Sequence, residues 1–204
     1  MERVRIALIS TGGTIEKTYD ELQGMLVNEA SNLDVMLARL SLEGVALTRI
    51  PLMNKDSGTM TEGDHGLIAD TAAVMIRRYD GVVIVHGTDT LEVTGERIYS
   101  AVKNPRGPIV LTGAMRPYQL RNSDAMQNLT EALTAVQLAS PGVYVSMHNR
   151  LTAFPGAVKD RRRGTFARKE DIERMRTSPG ALKAAEGAVV ATSPEQPYDP
   201  NDHE

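Results

Sequence analysis

The sequence contains no cysteine, which excludes disulfides, thiolate catalysis and cysteine-based metal sites. It also lacks a strong charge of either sign. The formal net charge is -3 over 204 residues, without the global basic field of a general nucleic-acid binder. No apolar run approaches bilayer length. The run from Val4 to Ile9 is too short and too interrupted by charge for a secretory signal. The chain therefore reads as soluble and cytoplasmic. Neither G-x-G-x-x-G nor G-x-x-x-x-G-K-[ST] is present, which weakens a phosphate-cradle reading. No internal repeat is visible beyond one pair of turns.

That pair carries most of the information. Thr11-Gly12-Gly13-Thr14-Ile15 directly follows the apolar run Val4 to Ile9. His86-Gly87-Thr88-Asp89-Thr90 directly follows Val82 to Val85. Open α/β sheets place their chemistry at strand ends of this kind, and two such turns can bring two threonines to one edge. A threonine hydroxyl is a poor nucleophile until a neighbouring group accepts its proton. Glycines beside it leave backbone N–H groups bare, and such donors can hold an oxyanion. Tyr19 could reach the Thr14 hydroxyl if the loop folds back. Thr88 and Asp89 offer a second hydroxyl and a carboxylate, and a desolvated lysine could relay protons through Thr88. Spacing alone does not choose that lysine. Taken singly, each piece has a plainer reading: Thr-Gly-Gly-Thr as a tight loop, His86 as a packed imidazole, Glu16 and Lys17 as solvated side chains.

Elsewhere, short apolar strands alternate with amphipathic segments. A hairpin is expected near Met25 to Asn28, followed by a helix capped by Ser31 and carrying Leu33, Val35, Met36, Leu37 and Leu40. Val45 to Ile50 reads as a strand stopped by Pro51. Thr61 and Asp64 form a capping box with Asp in place of Glu, opening a helix. Val82 to Val85, a helix from Leu91 to Val102, Pro108 to Leu111, a helix capped by Asn122 or Ser123, and Gly142 to Ser146 follow. Strands without polar alternation, separated by helices, predict an α/β fold: an open, mostly parallel sheet with helices on both faces. A single domain over 1–192 is expected. Beyond Thr152 the pattern weakens to a charge-rich stretch from Lys159 to Lys169, a short helix over Glu170 to Arg176 and a last strand over Gly187 to Ala191. The acidic, proline-bearing segment 193–204 reads as a disordered tail.

The two Gly-Thr turns together resemble the paired signatures of bacterial-type L-asparaginases. Supporting pieces stand in family order: Asp56-Ser57-Gly58-Thr59-Met60-Thr61, Gly113-Ala114-Met115-Arg116-Pro117 and Ser123-Asp124-Ala125-Met126-Gln127-Asn128-Leu129. The likeness covers about residues 4 to 160. It implies an asparaginase N-terminal-domain-like fold and L-asparagine as substrate, hydrolysed to L-aspartate and ammonia with no cofactor and no metal. Thr14 matches the family's nucleophile, Tyr19 the tyrosine that assists it, and Thr88 and Asp89 the second threonine and its aspartate. A count of a dozen residues beyond Met147 puts the family's lysine at Lys159. Ser57 is matched to the group that holds the substrate α-carboxylate, and Asp89 to the one that holds the α-ammonium. Gly13, Gly58 and Gly87 complete the expected substrate-binding set.

The departures carry expectations too. Full-length relatives have a second, carboxy-terminal domain, so the chain resembles short single-domain forms, with a homo-oligomer, dimer or tetramer, covering the bare faces. Gly58 stands where many relatives have glutamine or serine, which predicts a high KM. Three alternatives remain open: a mixed glutaminase-asparaginase, the ammonia-supplying amidase subunit of a tRNA amidotransferase, and an amino-acid-binding domain without turnover. The basic run Lys159 to Lys169 could face tRNA in the second of these, although nucleic acid is not an expected partner.

Overall fold

The structure is a computed structural model, and it describes residues 3–22, 24–27 and 31–177. Backbone contacts divide the chain into two compact units, residues 1–169 and 170–204. The first unit is built on a six-stranded sheet in the order β4-β1-β5-β6-β7-β8. Its strands are β1 (Val4–Gly12), β4 (Val45–Lys55), β5 (Gly81–Val85), β6 (Pro108–Thr112), β7 (Gly142–Met147) and β8 (Arg150–Ala153). All neighbours pair in parallel except β7 with β8, which run antiparallel. The expected open, mostly parallel sheet is therefore the observed one.

Alternation along the strands explains why both faces are covered. Ala7 and Ile9 of β1, with Val82 and Ile84 of β5, pack under Ile68, Ala72 and Ile98. Those residues belong to α2 (Glu62–Met75) and α3 (Leu91–Ala101). Ile6, Leu8, Val83 and Val85 point the other way, onto Leu33, Met36, Leu129 and Leu133. These lie on α1 (Leu33–Leu37) and α4 (Ala125–Leu138). With β4 on one side of β1 and β5 on the other, the chain reverses its winding between β1 and β5. In open α/β sheets the crevice at the carboxyl ends of such strands is where ligands bind.

Several local expectations hold and others are corrected. The capping box forms: Thr61 Oγ1 accepts Asp64 N–H at 3.3 Å, and Asp64 Oδ2 accepts Thr61 N–H at 2.8 Å. The hairpin forms from β2 (Thr18–Asp20) and β3 (Met25–Val27), with Asn28 outside the described residues. Pro51 does not stop its strand, which continues to Lys55. It stands on an edge strand, opposite Ser10 and at the start of a register shift, where proline is tolerated. The first helix ends at Leu37 and its N-cap is Asn32, although Ser31 Oγ does accept Leu33 N–H at 3.1 Å. The cap of α4 is Asp124, and Ser123 Oγ accepts Ala125 N–H at 3.1 Å. The short helix at the end is α5 (Lys169–Thr177), in the second unit apart from its first residue. The expected strand over Gly187 to Ala191 and the tail 193–204 lie outside the described residues. Among the described residues, no helix is long and apolar enough to cross a membrane.

The region after Thr152 holds the main surprise. It forms an antiparallel pair, β9 (Ala157–Asp160) with β10 (Thr165–Arg168), so the charge-rich stretch is largely a hairpin. Asp160 Oδ1 closes its turn by accepting Arg162 N–H at 3.0 Å and Arg163 N–H at 3.3 Å. One face of α3 fixes the approach to it. Glu96 Oε1 accepts Gly156 N–H, and Glu92 Oε2 accepts Lys159 N–H, both at 2.6 Å. Between them on the helix, Gly95 lets the Phe154 ring lie flat against the backbone: a Cβ there would fall 2.1 Å from Phe154 Cζ.

A buried polar strut joins α2, α3 and the end of β5. His86 Nδ1 lies 2.7 Å from the Gly87 carbonyl, His86 Nε2 lies 2.8 Å from Thr94 Oγ1, and Thr94 Oγ1 lies 2.7 Å from His65 Nδ1. A carbonyl only accepts, so His86 carries its proton on Nδ1. Thr94 then donates to His86 Nε2 and accepts from His65. Burial pushes the His86 pKa down to about 4 and lowers that of His65 as well.

Two predictions arise here. Gly95→Ala overpacks α3 against Phe154 and should cost about 1–3 kcal/mol in urea unfolding. His86 stays neutral in the folded chain down to about pH 4, whereas in the unfolded chain it protonates near 6.5. Acidification through that window therefore favours unfolding, by about 3 kcal/mol from this residue. Unfolding free energies measured from pH 7 to pH 4 should fall less steeply in His86→Gln than in the parent; equal slopes would refute a neutral, buried His86.

Candidate active site

Two glycine turns meet in the crevice between β1 and β5. Gly12 and Gly13 have φ of +97° and +83°, a region that L side chains rarely adopt. A Cβ on Gly13 would fall 2.4 Å from Gly87 Cα, so the two backbones lie in direct contact. A Cβ on Gly87 would in turn fall 2.4 Å from Ser57 Oγ. Thr11 Oγ1 donates to the Val85 carbonyl at 2.9 Å, and Gly13 N–H donates to the Lys55 carbonyl at 2.9 Å. These ties lock the ends of β1, β5 and β4 together. Thr14, half-buried, heads a short 3₁₀ turn (Thr14–Glu16) that starts from this contact.

Across the crevice, Lys159 of β9 reaches back to the second turn. Its Nζ donates to Thr88 Oγ1 at 2.8 Å and to Asp89 Oδ1 at 2.9 Å. The Lys159 side chain is only 12% exposed and Thr88 is buried, whereas the Asp89 carboxylate is 53% exposed and open to a ligand. Arg161 NH1 stands 3.8 Å from Asp89 Oδ1. Ser57 is buried behind them: its Oγ accepts Asp89 N–H at 3.3 Å, and its carbonyl accepts Thr90 Oγ1–H at 2.9 Å. Thr88, Asp89, Lys159, Ser57, Gly13 and Gly87 are thus brought together.

Other candidates stand differently. Tyr19 lies on β2, is 54% exposed and gives its N–H to Gln119 Oε1 at 2.8 Å; among the described residues no hydrogen bond joins its hydroxyl to Thr14. The glycine N–H groups are not all bare. Gly12 donates to Glu16 Oε2, Gly13 to the Lys55 carbonyl and Gly58 to Asp56 Oδ1, at 2.8, 2.9 and 2.9 Å. The N–H groups of Gly87 and Thr88 have no protein acceptor among the described residues.

Some contributors had little or no signal in the sequence. Lys17 Nζ binds Asp56 Oδ2 at 2.7 Å, tying the Thr14 turn to the Ser57 turn. The Lys17 ammonium and the Gly58 N–H hold the Asp56 pKa below the usual carboxylate range. Glu16 is buried rather than solvated. Asp124 accepts the N–H groups of Met115 and Arg116, each at 2.9 Å, and contacts His148 Nε2 at 2.8 Å. Burial works against its charge, but these donors hold its pKa below the ordinary value. Asn128 Nδ2 adds a bond to the Gly113 carbonyl at 2.9 Å. The loop after β6 is thereby held from beneath. No group of three or more His, Asp or Glu among the described residues is arranged to hold a metal ion.

Comparison with known proteins gives the family of the chain. A family model described as asparaginase, N-terminal, matches residues 5–177. An L-asparaginase of Thermococcus kodakarensis is 32% identical over 148 residues, covering 72% of this chain and 45% of that protein. A glutamyl-tRNA(Gln) amidotransferase subunit of Haloquadratum walsbyi is 34% identical over 171 residues, covering 83% and 38%. Among solved structures, the thermostable L-asparaginase of T. kodakarensis aligns with a TM-score of 0.73 at 31% identity, covering 80% of this chain and 51% of that one. A probable cytoplasmic L-asparaginase of Campylobacter jejuni gives 0.69 at 31%, covering 77% and 50%. The chain spans less than half the length of the first two relatives and about half of each solved chain. With two Gly-Thr turns in contact at a sheet switch point and a family match over residues 5–177, the chain belongs to the asparaginase family through its N-terminal domain.

Proposed function

We propose that the chain is an amidohydrolase that converts L-asparagine to L-aspartate and ammonia through a threonine acyl-enzyme. The observation that carries this reading is the Lys159 ammonium on Thr88 and Asp89, across the crevice from the turn that bears Thr14. Thr14 Oγ attacks the side-chain amide carbon, the C–N bond breaks and ammonia leaves. Water then hydrolyses the β-aspartyl ester and regenerates the hydroxyl. The Thr14 proton ends on the leaving nitrogen, with Thr88 and Lys159 as a relay in which Lys159 gives up one proton before it gains another, and Asp89 balances its charge. The N–H groups of Gly87 and Thr88 are donors available to a developing oxyanion, a contribution commonly worth about 10²–10³ in rate.

Substrate polarity suits the same crevice. The exposed Asp89 carboxylate takes the α-ammonium and Ser57 takes the α-carboxylate, with Gly13 and Gly87 forming the floor between them. Gly58 adds backbone only, and its N–H is already given to Asp56. Tyr19 is the residue that the family likeness assigns to assist Thr14, from an exposed place on β2.

Ammonia release by the purified chain with L-asparagine, L-glutamine and D-asparagine tests this reading. L-asparagine should be turned over, and Thr14→Ala or Lys159→Met should lower kcat by about 10³-fold or more with the fold intact. Tyr19→Phe should cost less than either. Retained turnover in both Thr14→Ala and Lys159→Met overturns the assignment. The likeness to a tRNA amidotransferase component keeps a second reading in play, in which the same site supplies ammonia to a partner. A folded chain that releases ammonia from none of the three amino acids favours that reading. L-asparagine that raises Tm without ammonia release favours a binding domain.

A further inference from the structure

Beneath the nucleophile turn lies a charged group that the proposed reaction does not use. Glu16 ends the 3₁₀ turn that Thr14 begins, and it is 2% exposed. Its Oε2 accepts Gly12 N–H at 2.8 Å, and its Oε1 accepts Ser31 Oγ–H at 2.5 Å. Ser31 Oγ itself accepts Leu33 N–H, which leaves the serine proton for Glu16. One carboxylate therefore bridges the nucleophile turn to the start of α1.

The turn is otherwise hemmed in by backbone. A Cβ on Gly12 would fall 2.5 Å from both N and O of Lys55, and Gly13 rests on Gly87. Those contacts limit where the turn can go. The Glu16 carboxylate holds the Thr11–Gly12 peptide by its N–H, two residues before Thr14. A carboxylate is roughly twice as strong an acceptor when ionised as when neutral.

We propose that Glu16 is a positioning residue for Thr14, whose charge state sets how firmly the nucleophile turn is held. This rests on the reading of Thr14 as the nucleophile. Burial raises the Glu16 carboxyl above its ordinary 4.5; Ser31, the Gly12 N–H and Arg49 oppose the rise, and Asp34 adds to it. Arg49 on β4 and Asp34 on α1 are paired with each other, and Lys17, next in the chain, is turned to Asp56. As pH falls, Glu16 takes a proton on the side of Ser31 and its grip on Gly12 weakens. The chemical step slows, while binding at Ser57 and Asp89 on the other turns is largely spared.

The test measures kcat and KM for ammonia release against pH in the full chain and in Glu16→Gln, Glu16→Ala and Ser31→Ala. It is paired with the Gly12 amide resonance followed by NMR against pH. Misplacing a reacting group can cost up to about 10²-fold, so Glu16→Ala should lower kcat roughly 10- to 100-fold with KM little changed. Glu16→Gln should recover most of that loss and lose the acid limb of the kcat profile. Ser31→Ala removes a bond that favours the ionised form, so its acid limb should move to higher pH. The Gly12 amide should titrate with the same midpoint as kcat in the parent, and not in Glu16→Gln. Parent-like kcat in Glu16→Ala, an unmoved limb in Glu16→Gln, or a Gly12 amide that does not titrate each overturns the proposal. If Glu16→Ala does not fold, the limbs of Glu16→Gln and Ser31→Ala decide. If the parent releases no ammonia, the hydrolase reading falls instead, and the Gly12 titration alone decides whether Glu16 holds the turn.

Discussion

The contact of Gly13 with Gly87 is the constraint on which the crevice depends. Two backbones meet closer than any Cβ permits, and the second of them presses on Ser57 in the same way. Three loops from the ends of β1, β5 and β4 are thereby packed into a space that side chains at these positions would fill. Thr14 and Thr88 follow directly after the two glycines. The glycines act here as spacers of zero width, and that is a stronger requirement than the freedom of φ alone. Hydrogen bonds from Thr11 to Val85 and from Gly13 to Lys55 hold the strand ends at this separation.

The proton-relay side is organised from the opposite direction. Lys159 does not come from the loops at the switch point but from a hairpin beyond the last parallel strand. It arrives there because α3, which begins just after the second Gly-Thr turn, uses Glu92 and Glu96 to bind the backbone of the incoming segment. The same helix provides Thr94 to the His65–His86 strut. One short helix thus ties the turn, the lysine and the strand end into a single rigid arrangement. Charge is distributed accordingly: Asp89 is left open to solvent on one side while its other side is met by Lys159.

Much of the fold could be read from the chain because apolar strand runs and their separating helices leave strong local signals. The capping box of α2 and the fully buried β5 followed from residue type alone. Pro51 misled because the property that saves it, a place on the sheet edge, is not local. The β9–β10 hairpin was illegible for a related reason: its strands are short and charged, and α3 holds the backbone of β9 and of the segment that enters it. Glu16 and Lys17 read as solvated for want of any local cue. What buries the first is the return of Ser31 and α1, and what pairs the second is the turn at Asp56.

The sequence by itself determined the sheet type, the two Gly-Thr turns and the identities of Thr14, Thr88 and Asp89 as candidates, because these depend on residue type and short-range pattern. Likeness to a family pointed to Ser57 and Lys159. Only the tertiary structure decided that Lys159 meets Thr88 and Asp89, that the N–H groups of Gly12, Gly13 and Gly58 are already taken, that Tyr19 faces outward, and that Glu16 lies beneath the nucleophile turn. Such facts depend on which distant backbone arrives at a given place. That is settled by packing across the sheet and not by any stretch of chain acting alone.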